Sequence, residues 1–325
     1  MGAAVTRRVG FALLLGVPLA AAILAAAERQ FELRGRVEAA PGPAVVLLQG
    51  ATLPFASNAR SDSKGRFRFR GVPPGSYTLT VLVPGRGEVQ QTVEVSPSLA
   101  DGDRRVDVTI LFPSNATERE ALERQHKVSL RQLRIPDSAR REFAESERLL
   151  GKQDVAGAIR RLERAVQIAP QFADAWNQLG VIAYQSRRYT DAETFFRKAL
   201  EQEPGAFAPV VNLGGVLLNL ERHDEALKYN LYAVSARPGD ALANVQTGMN
   251  YYFLGQPDVA LKYLLEAKRL DPSHFSHPQL FLAEIYTRRL DRPAAIAELE
   301  DFLKRHPDAP AAQKARADLA ELRAR

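Results

Sequence analysis

Five prolines recur at near-constant spacing in the C-terminal part of this 325-residue chain. They are Pro170, Pro204, Pro238, Pro272 and Pro307, separated by 34, 34, 34 and 35 residues. Because proline lacks a backbone N–H and clashes with the preceding turn, it cannot continue a helix. A fixed period of this length is typical of stacked helix–turn–helix units. The spacing therefore predicts an array of five helical hairpins.

Small residues recur in step with these prolines. Gly180, Gly214 and Gly248 hold one phase of the middle repeats. A second phase is always alanine, at Ala158, Ala192, Ala226, Ala260 and Ala295. A third is alanine until the last repeat, where Phe302 breaks the series Ala165, Ala199, Ala233 and Ala267. Small side chains let two helices cross closely, so these phases predict the lines along which the hairpins pack.

The stretch Ala173–Pro204 contains Trp176, Leu179 and Phe196 in a W-x₂-L-G…A…F…A…P pattern. It resembles the tetratricopeptide repeat (TPR) family. The resemblance covers five units, 139–170, 173–204, 207–238, 241–272 and 276–307, within a predicted repeat domain of residues 138–308. The first unit has Glu142 and Glu145 in place of Trp and Leu, and the last has one inserted residue. Residues 309–325 are predicted to form an amphipathic helix that caps the array.

Residues 28–112 have a period of two instead. Phe67 and Phe69 alternate with arginines, and Tyr77, Leu79 and Val81 share one face. Such alternation, with Pro- and Gly-rich turns between the segments, predicts six or seven strands in a β-sandwich. The fold class expected for the whole chain is therefore multidomain, an all-β sandwich followed by an all-α solenoid of helical hairpins. Residues 113–137 are polar and are predicted to be a linker.

The stretch Asp62–Val81 reads D-x-x-G-x-F-x-F…P-P-G-x-Y-x-L-x-V. It is similar to the core of carboxypeptidase regulatory-like domains, which have a transthyretin-like sandwich. In that family the domain is an accessory to the peptidase, so the resemblance implies a fold and no activity. Arg66, Arg68 and Arg70 share a strand face, which either docks an acidic partner or is a solvated edge that prevents sheet aggregation.

The N-terminal 27 residues have the parts of an export signal. Arg7 and Arg8 precede an apolar run, Val9–Ala27, which ends in an A-x-A sequence. The alternative is a membrane anchor, because a run of this length nearly spans a hydrocarbon layer of about 30 Å. Both interpretations place the rest of the chain outside the cytoplasm. We therefore expect an exported, periplasmic or cell-envelope protein that contacts the membrane only through residues 9–27, if they are not cleaved.

Composition and motifs give no support for catalysis, cofactor binding or nucleic-acid binding. The chain has no cysteine, and its net charge of +6 is spread without a basic stripe, which disfavours nucleic-acid binding. No phosphate-binding, zinc-protease or serine-hydrolase motif is present. His274 and His277 are interpreted as loop histidines at a corner between repeats. We expect neither catalysis nor a cofactor nor a metal site.

The TPR resemblance implies that the first helix of each repeat forms a concave wall. Carried onto this chain, it predicts a groove that binds a protein or peptide partner. The predicted lining residues are Asn177, Gln178, Val181, Tyr184, Val211, Asn212, Leu218, Asn219, Gln246, Met249, Tyr252 and Phe253. Gln178, Asn212 and Gln246 share one phase, and three amides could pair with the backbone of an extended peptide. The alternative is that they are ordinary polar wall residues, and that Tyr252 and Phe253 cover the adjacent repeat.

The sequence thus predicts a non-enzymatic scaffold for protein–protein interaction in the cell envelope. Two alternatives stay open. One is a surface or carbohydrate-binding protein that acts through the sandwich. The other is an accessory subunit of an envelope peptidase or secretion complex.

Overall fold

The computed structural model describes residues 30–38, 43–83, 87–112 and 134–324. Within these ranges it contains seven strands followed by eleven helices, which confirms the predicted fold class. No helix of the described ranges is long and apolar enough to cross a membrane. The predicted leader, residues 1–27, and most of the linker lie outside the described residues.

The seven strands form two facing sheets. Their bounds are β1 Phe31–Glu38, β2 Val45–Gly50, β3 Ala56–Arg60, β4 Arg66–Val72, β5 Gly75–Val83, β6 Gly87–Val95 and β7 Arg105–Leu111. The three-stranded sheet has the order β4-β1-β7, and the four-stranded sheet has the order β3-β2-β5-β6. Only the β1–β7 pairing is parallel among these strands. The arginine-bearing strand β4 is therefore an edge strand.

The alternating apolar residues fill the space between the sheets. Leu33, Leu48, Tyr77 and Leu79 have no exposed surface. The hydroxyl of Tyr77 donates a hydrogen bond to the backbone oxygen of Pro73 at 2.6 Å, so this buried phenol is satisfied. The period-two pattern thus identified the core face of the sandwich.

The D-x-x-G segment is a turn, as its sequence predicts. One carboxylate oxygen of Asp62 accepts hydrogen bonds from the backbone nitrogens of Lys64 and Arg66, both at 2.9 Å. Gly65 has φ of 75°, in the left-handed region that favours glycine. Asp62 therefore shapes the entry into β4.

The helices pair into five hairpins and a final helix. Their bounds are α1 Asp137–Gly151, α2 Val155–Ile168, α3 Ala173–Gln185, α4 Tyr189–Gln202, α5 Phe207–Asn219, α6 His223–Ala236, α7 Ala241–Phe253, α8 Pro257–Leu270, α9 Pro278–Arg288, α10 Arg292–Arg305 and α11 Ala312–Ala324. Each turn inside a hairpin contains one left-handed residue, namely Gln153, Arg187, Glu221, Gly255 and Leu290. The turn geometry therefore repeats with the same period as the prolines.

The small residues lie where the helices cross. A Cβ atom added to Gly180 would be 2.5 Å from the ring of Phe196, and one added to Gly248 would be 2.7 Å from Leu264 Cγ. Real Cβ atoms do not approach so closely, so only glycine fits there. The packing line predicted from the period is confirmed.

The third repeat departs from this apolar crossing. Asn230 occupies the phase of Phe196 and Leu264, and Asn250 occupies the phase of Ile182. Both asparagines are fully buried, and Asn230 Nδ2 donates to Asn250 Oδ1 at 2.9 Å. Asn250 Nδ2 in turn donates to the backbone oxygen of His223 at 2.9 Å. A polar pair thus replaces two apolar side chains between α6 and α7.

This pair gives a testable expectation for stability. Asn230→Leu alone should lower the free energy of unfolding by about 1–3 kcal/mol, because Asn250 Oδ1 loses its donor in a buried site. The double variant Asn230→Leu/Asn250→Val should be at least as stable as the natural chain, since neither polar group remains unsatisfied. Urea denaturation of the two single variants and the double variant measures the coupling. A double variant whose loss equals the sum of the single losses would contradict this expectation.

The final helix closes the array. Ala315 and Leu319 of α11 pack against Ala283, Leu299 and Phe302 of the last hairpin. This is the predicted capping helix, and it begins at Ala312.

Candidate functional site

The predicted groove residues lie on three consecutive first helices, α3, α5 and α7. Asn212 Nδ2 donates to Asn177 Oδ1 at 2.9 Å, and Asn219 Nδ2 donates to the Tyr184 hydroxyl at 3.1 Å. Each of these bonds joins residues 35 positions apart on the first helices of adjacent repeats. The side chains therefore share one continuous surface, which we call the wall.

Parts of the wall are closed by its own packing. Val211 and Leu218 are buried, whereas Val181 and Met249 are partly buried and pack with the core between the second and third repeats. Gln246 is 8% exposed, and its amide nitrogen would be 2.6 Å from a Cβ atom on Gly215. Of the three amides at one phase, Asn212 thus has a partner within the wall and Gln246 is buried, while Gln178 is partly buried. Recognition of a peptide backbone by these amides stays a prediction.

Three aromatic rings form the apolar end of the wall. Tyr252 and Phe253 of α7 meet Phe281 of α9 edge to face, with ring centroids 5.4 and 6.1 Å from Phe281. Arg288 lies over the Tyr252 ring at 5.2 Å, and Phe253 is 45% exposed. We call Tyr252, Phe253 and Phe281 the aromatic platform. Sequence analysis missed Phe281, although counting back from Pro307 gives it the phase of Asn212 and Gln246.

The sandwich lies against the repeats through its four-stranded sheet. Ser76, Thr80 and Thr92 alternate with core residues, yet Thr92 is only 4% exposed. The backbone nitrogen of Thr92 donates to Asp271 Oδ2, at the end of α8, at 3.0 Å. A polar sheet face that its sequence assigns to solvent is therefore covered by the repeats.

The first two repeats contact the same sheet. Gln185 Nε2, one residue after Tyr184, donates to the backbone oxygen of Gly50 at 2.8 Å. Ala56 of β3 packs with Ala139 and Leu150 of α1. A Cβ atom added to Gly151 would be 2.7 Å from the backbone oxygen of Ala56. The backbone at the end of α1 is therefore in direct contact with the backbone of β3.

The fifth repeat anchors the other end of the sandwich. Ser98 donates to Asp308 through both its backbone nitrogen, at 2.9 Å, and its hydroxyl, at 2.6 Å. Gly151 and Gln185 end first helices, whereas Asp271 and Asp308 follow second helices. These two sets of turns lie on opposite edges of a stacked array. The sandwich therefore contacts the array diagonally, from one edge at the first two repeats to the other edge at the last two, and no hydrogen bond or ion pair joins it to the aromatic platform within the described ranges.

A histidine corner lies beneath this contact. His274, His277 and His306 come together, with the rings of His277 and His306 4.3 Å apart. Burial lowers the pKa of His274 to about 4, although Asp271 opposes the shift, and burial lowers the pKa of His277 to about 3. Both imidazoles are therefore neutral at pH 7.

The corner is more than the loop that the sequence suggested. His306 was not singled out there, although it precedes Pro307; it is fully buried, and its Nδ1 lies 3.7 Å from Glu94 Oε2 of the sandwich. Within the described ranges, no group of three or more His, Cys, Asp or Glu side chains is arranged to hold a metal ion. Through His306 and Glu94 the corner is part of the interface between the sandwich and the repeats.

Comparison with known families agrees with both resemblances. Residues 32–110 match the model of the carboxypeptidase regulatory-like domain. Residues 143–209 and 242–274 match models of the tetratricopeptide repeat. No curated protein matches the chain.

Solved structures share the helical repeats. MamA (residues 41 to the end) from Desulfovibrio magneticus RS-1 is 23% identical, with a TM-score of 0.47 over 54% of this chain and 99% of that one. Pseudomonas aeruginosa pilF is 20% identical, with a TM-score of 0.49 over 57% and 89%. The APC/C hetero-tetramer Cut9-Hcn1 is 18% identical, with a TM-score of 0.52 over 58% of this chain and 37% of that one. At this identity the last likeness shows the fold alone.

Proposed function

We propose that this chain, in which a carboxypeptidase regulatory-like sandwich precedes tetratricopeptide repeats, is a non-enzymatic scaffold of the cell envelope. It binds a protein partner on the wall of its repeats, at the part that the sandwich leaves open. The observation that carries this proposal is the aromatic platform. Phe253 is exposed, whereas Tyr252 and Phe281 are partly buried and pack beneath it on the core of the repeats. An exposed aromatic ring supported in this way beside polar residues is typical of protein-binding surfaces.

The platform indicates the chemistry of the partner. Its three rings offer apolar contact, and Arg288 above Tyr252 is ion-paired with Glu284 at 2.9 Å. The surface therefore presents little net charge. We expect a partner segment with aliphatic or aromatic side chains rather than a string of carboxylates.

The envelope location is supported by the leader. Arg7, Arg8 and the apolar run Val9–Ala27 direct the chain to export, either as a cleaved signal or as an anchor. The absence of cysteine among its 325 residues means that folding in an oxidising compartment requires no disulfide.

The test is capture of a partner followed by titration. Immobilised chain would retain proteins from envelope extracts, and the retained protein would then be purified and titrated against variants. Phe253→Ala/Phe281→Ala should weaken binding by about thirty-fold, a loss of roughly 2 kcal/mol for removing central aromatic contacts.

Tyr232→Ala is the matched control, because Tyr232 is an equally exposed aromatic residue on a second helix. It should bind as the natural chain does. Circular dichroism and the melting temperature verify that the variants are folded. Equal affinity of the platform variant and the natural chain would overturn the proposal that the platform binds the partner.

A further inference from the structure

The outer face of the three-stranded sheet points away from the repeats, and it concentrates arginine. In the pairing of β1 with β4, Arg34 lies opposite Arg68 and Arg36 lies opposite Arg66. Like charges directly opposite each other destabilise a sheet. We call Arg34, Arg36, Arg66 and Arg68 the arginine face.

Half of the arginine face lacks a counter-charge. Arg34 pairs with Asp107 at 3.2 Å, and Arg66 pairs with Asp62 at 2.8 Å. Arg36 and Arg68 are exposed, and within the described ranges the structure gives them no acidic partner. Arg36 and Arg68 belong to successive cross-strand pairs on the same sheet face, so both can contribute to binding one external anionic surface.

The same face carries an exposed apolar side chain. Leu111 of β7 lies level with Glu38 of β1, and it is 71% exposed. Basic side chains together with an exposed leucine favour contact with the boundary between lipid head groups and acyl chains. An acidic protein partner would use the arginines but would not require the leucine.

The sequence places this sheet close to a membrane. The apolar run ends at Ala27, and β1 begins at Phe31. Each residue spans at most about 3.6 Å, so these two points are no more than about 14 Å apart. While the run lies in a bilayer, β1 is therefore held beside the lipid phosphates.

We propose that the arginine face is a membrane-docking surface that binds the phosphate groups of anionic phospholipids. Guanidinium forks bind phosphate oxygens in bidentate fashion, which suits arginine better than lysine. Each basic residue near an anionic membrane contributes about 1 kcal/mol. Docking would leave the opposite sheet on the repeats, so the sandwich would separate the wall from the bilayer. This inference goes beyond the scaffold role and does not depend on the identity of its partner.

The test uses residues 28–325, because the apolar run would itself enter vesicles. This chain contains all the residues that the structure describes, and circular dichroism verifies that it is folded. Co-sedimentation compares vesicles of phosphatidylcholine mixed with phosphatidylglycerol against vesicles of phosphatidylcholine alone. We expect binding to the anionic vesicles only, and its loss as salt is raised.

Arg36→Gln/Arg68→Gln should weaken partitioning into anionic vesicles by about thirty-fold, at roughly 1 kcal/mol per arginine removed. The matched control is Arg141→Gln/Arg160→Gln, which removes the same charge from exposed positions on the first repeat. It should bind nearly as the unmodified chain does.

Three results would overturn the inference. They are equal binding to neutral and anionic vesicles, equal loss in both double variants, and binding of soluble polyglutamate without binding of vesicles. The last would assign the arginine face to an acidic protein instead. Failure here would leave the partner titration at the aromatic platform unaffected.

Discussion

Lowering the pH from 7 to 5 is expected to reduce the free energy of unfolding by roughly 3–4 kcal/mol through His274 and His277. Burial holds the pKa of these side chains at about 4 and about 3 in the folded state. In the unfolded chain they titrate near 6.5. Below that pH the unfolded state binds more protons than the folded state, so stability falls as the pH falls towards 4.

The geometry of the corner explains why the folded state resists protonation. His274 Nδ1 accepts a hydrogen bond from the backbone nitrogen of Ser276 at 3.2 Å. Protonation of His274 Nδ1 would break this hydrogen bond. His277 Nδ1 is buried without a hydrogen-bond partner within the described ranges. The neighbouring titratable groups are Asp271, His306 and, from the sandwich, Glu94.

The measurement is urea denaturation at pH 7 and pH 5 for the natural chain and for His274→Asn/His277→Asn. Asparagine can accept the Ser276 hydrogen bond and tolerates the left-handed backbone of His277, where φ is 51°. Because the other titratable groups are unchanged, the difference between the two pH profiles isolates the two histidines. Parallel profiles would show that they do not titrate as the structure requires.

Phe302→Ala is expected to lower the free energy of unfolding by about 3–5 kcal/mol, although the other four repeats have alanine at this phase. Repeat consensus alone predicts that alanine is tolerated. The structure indicates the opposite, because Phe302 is fully buried and its ring centroid lies 5.1 Å from that of His277 and 5.6 Å from that of His306. The ring also packs with α11, which takes the place of a sixth repeat.

Urea denaturation at pH 7 measures this loss. Phe281→Ala is the matched control, since it removes the same ring from a partly buried site on the wall and leaves a smaller cavity. We expect its cost to be well below that of Phe302→Ala. Equal stability of the two variants would contradict this expectation. It would mean that alanine is tolerated at this phase of the last repeat and that the cluster around Phe302 does not stabilise the end of the array.

Much of this fold was predictable because its packing is periodic. Gly180 and Gly248 mark the positions where two helices cross. The same close contact recurs with a period of 34 residues and requires glycine each time, so it is visible in the sequence. The alternation around Phe67 and Phe69 likewise identifies the core of the sandwich. Local contacts of this kind leave a pattern within a short window of sequence.

The contact between the domains leaves no such pattern. Thr92 and Asp271 are 179 residues apart, and a threonine facing a carboxylate is equally compatible with solvent. Pairing of Arg34 with Arg68 depends on strand register, which alternation alone does not determine. For the same reason the sequence predicted the wall but not the contact between the sandwich and the repeats.

The diagonal contact also has a mechanical consequence. In an array of helical hairpins each repeat contacts only its neighbours, so the array can bend and stretch between repeats. Here Gly50 is hydrogen-bonded to Gln185 and Ser98 to Asp308, so the sandwich links the second repeat to the end of the fifth. Such a link is expected to limit bending of the array and to couple the unfolding of repeats that do not touch each other.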